Sequence, residues 1–166
     1  MKRLLITLFS TLLFSTSIFA SLNIQPTTKY TPIQKELLKL ETQDLINNLV
    51  LELNKMAGKN VDQATYLKSA NLENNTTIQI IFIVNKKALI TGVNKILNTN
   101  YTELNEISPE FEKTFSNNIL DKNVKTLCSD PINKILLDKG VVYHYLYNWN
   151  NEDSLLDISV SATDCK

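Results

Sequence analysis

Two cysteines bracket the last quarter of this 166-residue chain, and a bond between them would constrain its fold more than any other feature. Cys128 and Cys165 stand 37 residues apart, and one residue follows Cys165. Closing a loop of that size would stabilise the fold by roughly 3–4 kcal/mol in the chain-entropy account. Disulfides persist in oxidising compartments, so the compartment in which the chain folds decides whether the two thiols pair.

The N-terminus has the features of an export signal. Two basic residues precede an apolar run over 4–14, and small residues then lead to Ala20. This order is typical of a secretory signal peptide that is cleaved after Ala20. The apolar run is shorter than the roughly 20 residues of a membrane-spanning helix, although an uncleaved N-terminal anchor is the alternative. We therefore expect residues 1–20 to be removed and the protein to be periplasmic or secreted, without stable membrane insertion.

The mature chain, 21–166, has the length of a single domain, with 21–31 as a loose leader that carries little pattern. The full chain has 17 basic and 17 acidic residues, and removal of the two basic residues in the signal leaves a formal charge of −2. A near-neutral chain lacks the excess of positive charge that is typical of proteins that bind nucleic acid. We therefore expect no nucleic-acid partner.

An exported chain with two cysteines most often pairs them, so we predict a Cys128–Cys165 disulfide. The alternatives are a metal site and a reactive thiol. A metal site would need further cysteine or histidine ligands nearby, and His144 is the only histidine. A thiol–disulfide catalyst would need the spacing Cys-x-x-Cys, which the sequence lacks. No metal or cofactor is therefore expected.

Hydrophobic periodicity predicts an α+β fold. Helical spacing runs from Pro32 to Met56 with a phase slip near Thr42, which indicates one long N-terminal helix or two short helices in tandem. The middle of the chain is helical apart from a loop at 98–107, and Ser129-Asp130-Pro131 is a predicted helix start. The predicted strands cover 61–70, 76–85, 141–149 and 155–162. We expect two hairpins that form a four-stranded antiparallel sheet around the helical middle segment.

The segment 76–85 is the strongest predicted strand, because apolar residues occupy both of its faces. Ile78, Ile80 and Phe82 share one face, and Ile81 and Ile83 share the other. A strand that is apolar on both faces is typical of the middle of a sheet that is covered on both sides.

From Cys128 onward the sequence resembles a recurring pattern in small exported bacterial proteins of unassigned function. The matching residues are Cys128-Ser129-Asp130-Pro131, Gly140-Val141, Tyr143-His144-Tyr145 and Asp164-Cys165, with Val61-Asp62 upstream. The stretch 86–106 departs from the pattern. The resemblance implies an exported α+β domain with a C-terminal Cys-x-x-Pro … Asp-Cys disulfide framework, and it implies no catalytic residues.

Catalytic chemistry has little support in the sequence. Nucleophilic catalysis would need a base close to a serine or cysteine, and His144 stands between tyrosines in a predicted strand. We expect this histidine to pack, or to pair across the hairpin with a residue of the 155–161 strand. The mature chain has three glycines and no glycine-rich phosphate loop. A non-enzyme is therefore predicted.

One row of aromatic residues is a candidate binding surface. Tyr143, Tyr145, Tyr147 and Trp149 alternate along one face of the predicted strand 141–149. An exposed row could bind a protein, a peptide or a glycan, because Tyr and Trp are enriched at such contacts. The alternative is that the row is itself the core face of the sheet, which four large rings on one strand favour.

These observations predict an exported bacterial accessory or binding protein that is not catalytic. It would act through contacts with an unidentified protein partner, in secretion, inhibition or virulence. The alternative is a small extracytoplasmic enzyme whose site the sequence does not reveal.

Overall fold

The computed structural model describes residues 35, 38–108, 110–150 and 153–165. The helices are α1 (Thr42–Asn54), α2 (Lys86–Leu97), α3 (Leu104–Ile107), α4 (Phe111–Ser129) and α5 (Pro131–Asp138). The strands are β1 (Thr65–Leu72), β2 (Thr77–Val84), β3 (Val142–Trp149) and β4 (Ser154–Val160), and a 3-10 helix (Ala162–Asp164) follows. The predicted signal peptide and leader lie outside the described residues.

The sheet is mixed, which corrects the antiparallel sheet predicted from the sequence. Its strand order is β1-β2-β3-β4. β1 pairs with β2 and β3 with β4 in antiparallel hairpins, as predicted, whereas β2 and β3 run parallel. Parallel neighbours need a crossover connection, and the helices α2 to α5 provide it by returning the chain to the end at which β2 began.

Of the two predicted arrangements, one long N-terminal helix and two short helices in tandem, the single long helix is wrong, because residues 40–41 separate the helical residues 38–39 from α1. The helix α1 has 13 residues and begins at Thr42, the position of the predicted phase slip. Most of the stretch from Pro32 to Leu37 lies outside the described residues. The predicted loop 98–107 contains the short helix α3. No helix in the described part of the chain is long and apolar enough to cross a membrane.

The helices pack on one face of the sheet, which we call the core face. Buried residues of α1 to α5 form one cluster with alternate residues of the strands, such as Leu67, Ile80 and Phe82. The residues between them point to the opposite, open face, because successive strand side chains alternate. On that face Ile81 is half-buried, and Ile83 is buried outside the core cluster.

The aromatic row lies on the core face. Tyr143, Tyr145, Tyr147 and Trp149 are 0%, 2%, 4% and 8% exposed, and Phe82 stacks on Tyr147 with ring centroids 4.8 Å apart. The interpretation of this row as an exposed binding surface is therefore wrong. The helices cover it because burying four large rings is the strongest apolar driving force that β3 offers.

The two cysteines are joined, as predicted, and the bond ties the end of α4 to the segment after β4. The Cα atoms of Cys128 and Cys165 lie 5.3 Å apart. Immediately after the bond, the carboxylate of Asp130 accepts hydrogen bonds from the backbone N–H groups of Ile132 and Asn133, at 2.9 and 2.8 Å. This cap begins α5 at Pro131, so the helix start predicted from Ser129-Asp130-Pro131 is confirmed.

Candidate binding cleft

A cleft of about 830 Å³ opens at the end of the sheet where β2 and β3 terminate. Val84 and Trp149, the last residues of these strands, are paired directly in the parallel ladder. Ligand sites of open sheets commonly lie outside the carboxyl ends of parallel strands, where the following loops diverge. The lining residues are Lys86, Lys87, Ile90, Thr91, Asn94, Tyr101, Thr102, Glu103, Glu112, Trp149, Asn150, Asp153 and Ser154.

Apolar and aromatic residues contribute the inner part of the cleft. Trp149 and Ile90 are 8% and 7% exposed, and Tyr101 is half-buried against the core. Of the aromatic row predicted as a binding surface, only Trp149 lines the cleft; the three tyrosines do not. The lining thus combines a small, mostly buried apolar surface with a larger number of polar and charged residues.

The side chain of Asn94 on α2 fixes the wall formed by the loop after that helix. Its Nδ2 donates to the carbonyl of Tyr101 at 2.8 Å, while its Oδ1 accepts from the Tyr101 N–H at 2.8 Å and from the Thr99 hydroxyl at 3.0 Å. Asn98, in the left-handed conformation with φ 52°, turns the chain into this loop. Two hydrogen bonds to Tyr101 and one to Thr99, all from one side chain, hold this loop in position before any ligand binds.

The carboxylate of Glu106 stabilises the other part of the same wall. It accepts hydrogen bonds from the N–H groups of Thr102 at 2.6 Å and Glu103 at 3.2 Å. These backbone bonds lower the pKa of Glu106 from its ordinary value, because they favour the charged carboxylate. Thr102 and Glu103, which line the cleft, are therefore held by a carboxylate that is not itself among the lining residues.

Lys86, the first residue of α2, contacts the β3–β4 turn and the loop after α2, which both line the cleft. Its backbone N–H donates to Oδ1 of Asn150 on the β3–β4 turn at 3.3 Å, and its ammonium lies 3.4 Å from the carboxylate of Glu103. Exposed ion pairs of this kind add little stability. The rim carries both signs of charge, since Lys87 stands with Glu112 and Asp153 among its residues.

The cleft offers hydroxyl, amide and charged side chains to a ligand. It presents the hydroxyls of Thr91, Thr102 and Ser154, but no histidine or cysteine lies among its lining residues. Within the described ranges, no group of three or more His, Cys, Asp or Glu residues is placed to hold a metal ion.

His144 lies on the open face of the sheet, between two carboxylates. Its Nδ1 is 3.0 Å from Glu73 Oε2 and its Nε2 is 2.7 Å from Asp157 Oδ1. Asp157 belongs to the strand with which pairing was predicted, whereas the contact with Glu73 was not foreseen. Desolvation alone would lower the pKa of His144, but the hydrogen bonds and charges of Asp157 and Glu73 outweigh it and raise the pKa.

Sequence reasoning did not identify the cleft. Lys86, Asn94, Tyr101 and Glu106 fall in a stretch that the pattern divides only into a short helix and a loop. The one available signal was the spacing of Glu103 and Glu106, which form the capping box of α3. That spacing predicts a helix start and gives no indication of a binding site.

No protein-family model and no curated protein matches the sequence. The fold resembles that of a candidate secreted protein from Pseudomonas aeruginosa, with 9% identity and a TM-score of 0.54, over 83% of this chain and 100% of that one. Two type II secretion system pilotins superpose less well. EpsS of Vibrio vulnificus is 16% identical with a TM-score of 0.47, over 82% of this chain and 98% of that one. AspS of Vibrio cholerae is 16% identical with a TM-score of 0.45, over 80% of this chain and 96% of that one.

Proposed function

We propose that this protein is an exported accessory protein, without catalytic activity, whose cleft binds a segment of a partner protein. The observation that carries the proposal is the lining of the cleft. A rim with charges of both signs surrounds the apolar surface of Trp149, Ile90 and Tyr101. A polypeptide segment offers apolar and oppositely charged groups together, and Tyr and Trp are the side chains enriched where proteins meet.

Export is supported by the disulfide and by the N-terminal sequence. The Cys128–Cys165 bond requires an oxidising compartment such as the periplasm or the cell exterior. The basic, apolar and small residues of 2–20 follow the order of a cleavable signal. Intact-mass measurement on protein from the cell envelope is expected to give a chain that starts at Ser21, and a chain that keeps residues 1–20 would contradict the cleavage.

The cleft is tested with a photo-crosslinking amino acid placed at Thr91, an exposed lining residue of α2. We expect a discrete protein adduct in intact cells. A second change, Lys87→Glu, reverses a charge on the rim and is expected to reduce the adduct by about five- to tenfold, the size of a lost interfacial charge contact.

Lys95→Glu is the matched control, because Lys95 is exposed on the same helix but does not line the cleft. It should leave the adduct unchanged. If no protein adduct forms at Thr91, or if both charge reversals reduce it equally, the cleft does not bind a protein partner.

A further inference from the structure

The two edges of the sheet differ in how their backbone groups are satisfied. At the β1 edge, the side-chain amide of Asn54 pairs with the backbone of Ala70, donating to its carbonyl at 2.7 Å and accepting from its N–H at 2.9 Å. Gly58 donates to the carbonyl of Leu67 at 2.7 Å, and the Leu67 N–H donates to Lys59 at 3.2 Å. The β1 edge is therefore closed by the chain itself.

The direction of the backbone groups in β3 determines which groups of β4 point outward. Val142 donates its N–H to Thr76, just before β2, and Trp149 donates its N–H to Asp153, just before β4. Backbone groups of successive strand residues point to opposite sides, so the odd-numbered residues of β3 bond to β4. Their partners in the ladder are Leu156, Ile158 and Val160.

The intervening residues of β4, Asp157 and Ser159, consequently direct their N–H and C=O groups away from the sheet. Both residues are exposed. Within the described residues, no backbone hydrogen bond outside the β3 ladder involves 154–160. Edge strands are commonly protected by proline or by charged side chains; Ser154–Val160 contains no proline and no lysine, and its one charged residue is Asp157. The β4 edge is thus a row of accessible donors and acceptors.

The side chains that flank the β4 edge are apolar on one face and acidic on the other. Leu156 and Ile158 are half-buried against the core. On the open face the Asp157 side chain is 63% exposed, and with Glu73 it brackets His144. Asp157 is the only charged residue of Ser154–Val160, so the strand at the edge carries one carboxylate and no cation.

We propose that the β4 edge receives an extended segment of a partner polypeptide as a fifth, antiparallel or parallel strand. Main-chain hydrogen bonds to Asp157 and Ser159 would give the affinity. Apolar residues of the segment would continue the core face beside Leu156 and Ile158, and a lysine or arginine would stand opposite Asp157. Oppositely charged pairs across neighbouring strands stabilise their pairing.

A second copy of this chain fits the edge less well. Asp157 is the central residue of Ser154–Val160, so antiparallel pairing of two β4 strands about their middle places one Asp157 carboxylate opposite the other. Like charges directly opposite each other destabilise a strand pair. The β4 edge and the cleft share only Ser154, so the failure of either proposal would leave the other intact.

The proposal is tested by tethering a strand to the full mature chain. A flexible Gly/Ser linker of ten residues after Lys166 carries the segment Thr-Val-Lys-Val-Thr-Val, and amide hydrogen exchange is measured at Asp157 and Ser159. A tether supplies millimolar effective concentration, so we expect exchange at both amides to slow by about tenfold. Replacing the lysine of the segment by glutamate is expected to speed exchange at these amides again, by about fivefold or less.

Two variants at Ser159 serve as matched controls. Ser159→Pro removes an outward N–H without removing a bond to β3, and it should abolish the added protection at Asp157. Ser159→Ala keeps the N–H and should retain that protection. Unchanged exchange on tethering would overturn the proposal. Slow exchange at Asp157 and Ser159 in the untethered chain, or a dimer of that chain in light scattering, would overturn it as well.

Discussion

The two faces of β3 put alternate residues of one strand into opposite environments. Tyr143, Tyr145 and Tyr147 are at most 4% exposed beneath the helices, whereas His144 and Leu146 are only partly buried on the open face. Both faces carry large side chains and polar atoms. The difference teaches that packing by the helices, and not the composition of the strand, determines what each side chain contributes to stability.

Two of the three buried tyrosines on the core face pair their hydroxyls with asparagine side chains. The Tyr143 hydroxyl donates to Oδ1 of Asn133 at 2.8 Å, and Nδ2 of Asn123 donates to the Tyr147 hydroxyl at 2.9 Å. Burial raises the pKa of both phenols above the ordinary value, so they stay neutral. On the open face, His144 bonds to carboxylates that are largely exposed, and solvent screens those charges.

The largest expected effect separates the two faces directly. Tyr145→Ala removes a ring that is 2% exposed and stacks near Phe82, and it is expected to lower the free energy of unfolding by about 3–5 kcal/mol. Leu146→Ala, at the next residue on the open face, is expected to cost about 1 kcal/mol. Urea unfolding of the two variants measures both values. Equal losses would show that the two faces of β3 contribute equally to stability.

The sequence predicted the strands and the start of α5 because those features depend on local pattern. Alternation along 141–149 identifies β3 whichever face is buried, and the Asp130 cap lies within three residues of its partners. The direction of β3 relative to β2 depends on the whole crossover of helices between them, and no local pattern records it. The aromatic row was ambiguous for the same reason, since its burial depends on helices elsewhere in the chain.

The cleft was beyond prediction because residues far apart in sequence form it. Lys86 and Asn150, which are 64 residues apart, meet only after β2 and β3 have paired in parallel. In the antiparallel sheet expected from the sequence, the carboxyl ends of these two strands would have lain at opposite ends of the sheet. The wrong strand direction therefore also concealed the site.

An intermediate effect is expected where the core face buries a polar pair. Asn133→Ala leaves the Tyr143 hydroxyl without its acceptor in a site that is 0% exposed, and it is expected to cost about 1–3 kcal/mol. Tyr143→Phe removes the orphaned hydroxyl. It should lower the free energy of unfolding by less in the Asn133→Ala protein than in the wild type. Thermal unfolding of the four proteins of this cycle gives the coupling, and strict additivity would show that the pair contributes nothing specific.

The smallest effect is expected at His144 and depends on pH. Because Asp157 and Glu73 raise its pKa in the folded state above the ordinary 6.5, folding favours the protonated imidazole. This stabilisation is fully present below pH 6.5 and is lost as the pH rises through the folded-state pKa. His144→Gln is therefore expected to cost about 1 kcal/mol at pH 6 and less at pH 8.

The measurement is the free energy of unfolding of wild type and His144→Gln at several pH values between 5 and 9. A buried carboxyl at Asp62, whose pKa desolvation raises from 3.8, also makes stability fall as the pH rises, starting from more acidic pH. Asp62→Asn therefore serves as the control, since it removes that contribution and keeps the one from His144. If wild type and His144→Gln lose stability in parallel between pH 6 and 8, the carboxylates do not hold a charged imidazole. The open face would then contribute to stability without a charge-dependent term.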